Sequence, residues 1–174
     1  MTGLYFIDRS EGWVVSSDGE ILHTSDGGKH WEVQQGNVGV HLFNIRFWDD
    51  KIGYAVGITP YIRGQARQGV IFYTTDGGRS WRKAEGRLPP AHFKSALVDV
   101  VILSAQECWA VGQRGAVLRT TDGGKHWEII SIDKPSSAPD FVSAALVEQD
   151  RREAILILAS KGGLYRIWLD ESRK

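Results

Sequence analysis

Three aspartates stand in one repeated setting along this 174-residue chain: Asp26, Asp76 and Asp122, each followed by two glycines and, five positions on, by a tryptophan. A carboxylate in a recurring phrase could act as an acid in hydrolysis or as one ligand of a calcium ion. The copies are 50 and 46 residues apart, so each repeat supplies a single such carboxylate, whereas either chemistry needs several converging oxygens. Turn formation needs only what each phrase contains. Aspartate accepts the backbone N–H groups just ahead of it, and glycine supplies positive φ without steric cost. The preceding Thr24, Thr74 and Thr120 can bond across the same turn, and Trp31, Trp81 and Trp127 can cover it. The residues Asp26, Gly28, Trp31, Asp76, Gly78, Trp81, Asp122, Gly124 and Trp127 are therefore expected to shape hairpin turns rather than to catalyse or to bind metal.

Strand-like segments must hold these turns. Ile21 to Thr24 and Trp31 to Val33 flank the first one, and the equivalent Gly12 to Val15, Gly53 to Gly57 and Cys108 to Gly112 lie upstream in the three copies. Further upstream lie Leu4 to Ile7, Ile45 to Trp48 and Val100 to Leu103. Four antiparallel strands in each period of about 40–50 residues make the blade of a β-propeller. A fourth, degraded copy follows: Ile155 to Arg166 aligns with Gly12 to His23, a first strand runs from Val142 to Val147, and Ile167-Trp168-Leu169-Asp170 replaces the turn. The expected fold is all-β, one repeat domain over 1–174 with about four four-stranded blades near 4–35, 44–86, 97–131 and 142–170, the last incomplete. Such a set of blades closes as a small ring, as half of a larger ring completed by a second copy, or as part of a longer parent. A homodimer of half-rings is the favoured expectation.

The repeated phrase resembles the Asp-box, or BNR repeat, of sialidases, sortilin-type receptors and the photosystem II stability and assembly factor family. The wider pattern joins Gly-Trp/Tyr-Ala-Val-Gly, through a short loop, to Gly-x-(Ile/Val)-(Leu/Phe)-x-Thr-(Ser/Thr)-Asp-Gly-Gly-x-x-Trp. It looks most like the assembly factor family, from Leu4 to Trp127. That resemblance implies a non-enzymatic propeller that binds another protein, a membrane protein or its precursor, during assembly, through an arginine-bearing surface. It also implies an export signal and about seven blades, within the usual propeller range. The opening residues, Met1 to Arg9, lack a basic start and an apolar run, so the chain as written is expected in the cytoplasm, with export if the N-terminus has been trimmed. Nothing approaches the roughly 18 unbroken apolar residues of a membrane-spanning helix, and direct insertion is not expected.

Lys plus Arg equals Asp plus Glu at 21 each, so no global field favours nucleic acid. Cys108 takes the place of Gly12 and Gly53 and reads as a small buried residue. No phosphate-cradling loop, Cys/His cluster or Ser-His-Asp set is present, and neither cofactor nor metal is expected. Recognition is expected on the loops opposite the Asp-Gly-Gly turns. There the second blade carries a connection about nine residues longer than its counterparts, Ile58 to Gln68, with Tyr61, Arg63 and Arg67. Arg87, His92 and Lys94 from a blade-to-blade connection and Arg114 from the third blade join them. Guanidinium groups beside tyrosine and proline suit a protein partner that presents carboxylates.

Two rival readings stay open. Tyr165-Arg166-Ile167 echoes the (Phe/Tyr)-Arg-Ile-Pro motif of sialidases, but it follows the Asp-Gly-Gly phrases instead of preceding them, and Trp168 stands where proline belongs. A carbohydrate-binding module would use an exposed tryptophan as its stacking platform. Trp48 is the candidate, since its equivalents Ile7 and Leu103 are aliphatic.

Overall fold

The computed structural model describes residues 1–84, 95–132, 139–149 and 152–169. Four antiparallel sheets follow one another along the chain, each wound in sequence order from its first strand outward. Sheet one contains β1 (Gly3–Phe6), β2 (Gly12–Val15), β3 (Ile21–Thr24) and β4 (Glu32–Gln35). Sheet two contains β5 (His41–Phe47), β6 (Gly53–Ile58), β7 (Gly69–Thr74) and β8 (Arg82–Lys83). Sheet three contains β9 (Leu97–Ile102), β10 (Cys108–Gly112), β11 (Val117–Thr120) and β12 (Glu128–Ile129), with a 3-10 turn at Gln113–Gly115. Sheet four has three strands, β13 (Phe141–Gln149), β14 (Arg152–Ala159) and β15 (Leu164–Trp168). These are consecutive sectors of a β-propeller, the last with three strands among the described residues.

Flat faces of neighbouring sheets bury each other, which explains why β6 and β10 are covered along their whole length and read as unbroken apolar runs instead of alternating ones. Each of the first three sheets turns an aromatic residue of its second strand, Trp13, Tyr54 or Trp109, toward the following sheet. Smaller residues at the next position, Ala55 and Ala110, face the preceding sheet and make room. Trp13, Val15 and Ile21 thus meet Ile45, Phe47, Ala55 and Phe72; Tyr54, Val56 and Ile71 meet Leu97, Val100, Ala110 and Leu118; Trp109, Val111 and Val117 meet Phe141, Ile155 and Ile157. Trp13 lies on Phe47 with ring centroids 3.6 Å apart. Cys108 is fully buried in the second of these layers, and burial pushes its thiol well above the usual range.

Among the described residues no apolar cluster joins sheet one to sheet four. The described sheets form an open arc. Among those residues, too, no helix is long and apolar enough to cross a membrane.

Candidate protein-binding face

The three Asp-Gly-Gly turns join the third and fourth strands of sheets one to three, and they repeat one hydrogen-bond pattern. Thr24 donates its hydroxyl to Asp26 Oδ1 at 2.8 Å and accepts the Gly28 N–H at 2.9 Å; Thr74 and Thr120 do the same for Asp76 with Gly78 and for Asp122 with Gly124. The carboxylate then accepts the backbone N–H four residues ahead, from His30, Ser80 or His126. Its second oxygen meets the same residue's side chain, His30 Nδ1 at 2.6 Å, Ser80 Oγ at 2.5 Å or His126 Nδ1 at 2.6 Å. The first glycine of each pair, with φ between 73° and 76°, donates its N–H to the turn between the first two strands of its own sheet, at Ser10, Lys51 or Gln106. Both turns of a sheet are thereby tied together at one end of the arc. In sheets one to three that end is closed by a side chain outside the repeated phrase: Asp8 and Asp49 carboxylates and the Ser104 hydroxyl accept the two N–H groups ahead of them.

These bonds set the protonation of the aspartates. The His30 N–H, then its ring and the Thr24 hydroxyl, hold Asp26 well below the usual carboxylate range. Ser80, through hydroxyl and N–H, does the same for Asp76. Partial burial works against ionisation of Asp122, but the His126 N–H and ring and the Thr120 hydroxyl outweigh it and bring it to about 2. All three are ionised at neutral pH with both oxygens engaged inside their own turns, which leaves no proton for acid catalysis. Trp31 and Trp127 donate their indole N–H to Gly28 and Gly124, and stand edge-on to Phe6 and Tyr54. Trp81 stands edge-on to Phe47. Gln34 spans two sheets, accepting from Trp13 and donating to Gly77.

The long connection of sheet two lies at the opposite end of the arc. It runs between β6 and β7 over 59–68, and it is closed at its base by Thr59, whose N–H donates to Gln68 while its hydroxyl accepts the Gln68 N–H. Tyr61 is 75% exposed and Arg63 is exposed beside it. Arg67 is half-buried, and its Nε donates to Thr59 O at 3.1 Å, so part of its guanidinium holds the loop. Between this loop and the connection from sheet one runs a groove lined by Val38, Val40, Pro60, Ile62 and Gln68. Arg114 projects from the 3-10 turn of sheet three, the one described non-glycine residue with positive φ (56°), and its N–H donates to Asp140. Arg87, His92 and Lys94 lie outside the described residues.

Tyr165, Arg166 and Ile167 lie within β15, where Arg166 stacks on Trp168 at 5.0 Å. Trp48 is 46% exposed at the Asp-Gly-Gly end, on a pocket shared with Tyr5 and Arg46. Among the described residues no three His, Cys, Asp or Glu side chains converge as a metal would require.

One cluster carries no motif. The first strands of the four sheets place Gly3, Asn44, Asp99 and Ser143 at one register position, opposite Val15, Val56, Val111 and Leu158. Asp99, 2% exposed, accepts from the Asn44 amide (2.7 Å), the Val100 N–H (2.9 Å), the Ser143 hydroxyl (2.9 Å) and the Ala144 N–H (3.0 Å), with Arg46 Nη2 at 3.7 Å. It ties the first strands of sheets two, three and four around the arc's axis. The signal for it in the sequence is a single charge inside Leu97-Val98-Asp99-Val100-Val101-Ile102.

The sequence profile of the family described as Photosynthesis system II assembly factor YCF48 matches residues 1–85 and 37–169. No curated protein matches the chain. Among solved structures, YCF48 bound to D1 peptide is 20% identical over 99% of this chain and 52% of that one, with a TM-score of 0.66. YCF48 from Cyanidioschyzon merolae is 21% identical over 99% and 54%, with a TM-score of 0.65. An ancestral GH74 enzyme is 13% identical over 94% of this chain and 22% of its own, with a TM-score of 0.68. At such identities these structures share the fold, and the chain spans about half the length of the two YCF48 chains.

Proposed function

Since the chain belongs to the photosynthesis system II assembly factor YCF48 family, we propose that it is a non-enzymatic scaffold that holds a segment of a protein client, a membrane protein or its precursor, against the loop end of its arc. The observation that carries this reading is the long β6–β7 loop, which presents Tyr61 and Arg63 to solvent, while its Pro60, Ile62 and Gln68 line a groove of mixed polarity with Val38, Val40 and Lys83. A client segment laid in the groove would place a carboxylate within reach of the Arg63 guanidinium and an apolar side chain on Tyr61. Arg67 supports the loop and adds charge, and Arg114 extends the basic surface onto sheet three. The D1 peptide bound by the related YCF48 supports a protein segment as the ligand class. The internal engagement of Asp26, Asp76 and Asp122 supports a role without catalysis. A second copy completing the ring belongs to the same reading.

The carbohydrate-binding alternative has one observation in its favour, the exposed Trp48 beside Tyr5 and Arg46. It sits at the other end of the arc, so the two readings separate by position.

Titration of a fluorescent D1 peptide by anisotropy tests the scaffold. Arg63→Glu is expected to weaken binding at least about tenfold, because reversal places like charges together. Its melting temperature should stay near that of the unaltered protein, since an exposed loop residue contributes within about 0.5 kcal/mol to stability. Unchanged affinity would remove this surface from the binding site.

A further inference from the structure

The groove beside the long loop lies between two walls that the chain itself holds in place. One wall is the connection over 36–40 from β4 to β5. Asn37 Oδ1 accepts the Gly39 N–H at 2.7 Å, and the His41 ring meets Ser17 O at 2.6 Å. Gly19, with a φ of 79°, lies so close behind this wall that a Cβ there would stand 2.9 Å from Val40 O. The other wall is the β6–β7 loop, clamped at its base by Thr59 and Gln68. At its tip the Gln65 N–H donates to Ile62 O at 2.9 Å, and Gly64 takes a φ of 84°. A groove shaped in advance loses little freedom when it is filled. Its apolar lining is aliphatic, with Val38, Val40, Pro60 and Ile62, and Ile62 is 49% exposed. Two cations edge it: Arg63 follows Ile62 at the loop tip, and Lys83 lines the groove from β8, the outermost strand of sheet two. Both are exposed, and among the described residues neither side chain pairs with a carboxylate. Asp18 and Glu20 belong to the turn behind the first wall, where Ser16 Oγ accepts both of their N–H groups and donates to the Glu20 carboxylate at 3.4 Å.

We propose that Lys83 is a second anchor of the client site, and that the segment recognised there is an extended stretch of a client protein with carboxylates on both sides of one aliphatic residue. This rests on the scaffold reading above and specifies the chemistry of the client. The aliphatic side chain enters the groove, while acidic side chains on either side of it reach Arg63 on the loop and Lys83 on the outer strand. Charge complementarity selects this occupant, because unpaired positive charges on two sides of an aliphatic trough disfavour a basic segment and leave a neutral one without partners. The outer strand carries its own control. Successive residues of a strand point to opposite faces, and Arg82, likewise exposed and one position before Lys83, lies outside the groove lining.

Fluorescence anisotropy tests this in two arms. With the labelled D1 peptide, Lys83→Glu is expected to weaken binding at least about tenfold, and Arg82→Glu to leave it nearly unchanged. Both side chains are exposed, so melting temperatures should stay near that of the unaltered protein. In the second arm three labelled peptides, acetylated and amidated so that their ends carry no charge, are titrated directly. Glu-Glu-Leu-Glu-Glu should bind at least about tenfold more tightly than Gln-Gln-Leu-Gln-Gln or Glu-Glu-Gly-Glu-Glu, and Lys83→Glu should remove the advantage over the glutamine peptide. Unchanged affinity in Lys83→Glu, equal losses from Lys83→Glu and Arg82→Glu, or equal affinity for the three peptides each overturns the proposal. If Arg63→Glu weakens the D1 peptide while Lys83→Glu does not, the scaffold reading stands and this anchor falls. A protein that binds neither the D1 peptide nor Glu-Glu-Leu-Glu-Glu removes both.

Discussion

Gly112→Ala is expected to destabilise the protein by about 3 kcal/mol, or roughly 6–12 °C in melting temperature. A Cβ on Gly112 would lie 2.0 Å from the Ala96 carbonyl oxygen, and one on Gly57 would lie 1.9 Å from that of His41. Both neighbours are backbone atoms, so no rotamer change relieves the overlap. The closeness has a cause in register. The first strands of sheets two and three shift register beside their partners, between Leu42 and Asn44 and between Val111 and Gly112, which folds each first strand over the end of the second. The same irregularity aims Asn44 and Asp99 at the axis, so the glycine makes room for the turn that positions the polar row. Gly36→Ala is the control, since its added Cβ meets nothing within 4 Å. Thermal unfolding followed by circular dichroism decides the matter: a Gly112→Ala variant melting within about 2 °C of the unaltered protein, a change worth less than roughly 1 kcal/mol, would contradict this account of the bulge.

Asp99→Ala is expected to cost roughly 3 kcal/mol in urea unfolding, because several donors held by one buried carboxylate lose their acceptor at once. The Asn44 amide and the Ala144 N–H lose their acceptor, and Arg46 loses the carboxylate beside it. Asn44 and Ala144 belong to different sheets, so the loss weakens the joints on both sides of sheet three. Asp99→Asn should cost nearly as much, because its amide would face the Asn44 amide or the Ala144 N–H, donor against donor. Ser143→Ala removes one hydroxyl and should cost about 1 kcal/mol. In combination with Asp99→Ala it should add little, since the pair shares one bond. A loss below about 1 kcal/mol for Asp99→Ala would mean that the row contributes no more than an ordinary exposed polar contact.

The repeat was legible because its marks are local. Asp, Gly-Gly and Trp lie within one turn, and everything that turn needs, from the threonine hydroxyl to the N–H four residues on, lies within a few positions of the aspartate. The order of strands followed, with three strands in sheet four among the described residues. The axial row was not legible. Asn44, Asp99 and Ser143 are 55 and 44 positions apart, and their equivalence depends on bulges that move each residue by one place in register. Gln34 escaped for a related reason: its partners Trp13 and Gly77 lie on two sheets, so its place between them follows from packing and not from either repeat. The candidate loop surface was half legible. Composition singled out the arginines, but the bond that turns Arg67 toward Thr59 follows from the folded shape of the loop.

The account stands on the loop end of the arc being where a client binds. Benzoylphenylalanine placed at Tyr61, and separately at Trp48, gives the most direct test, with photolysis in the presence of the D1 peptide and mass spectrometry of the products. An adduct from position 61 and none from position 48 is the expected result; an adduct from position 48 alone would move recognition to the Asp-Gly-Gly end and contradict the account.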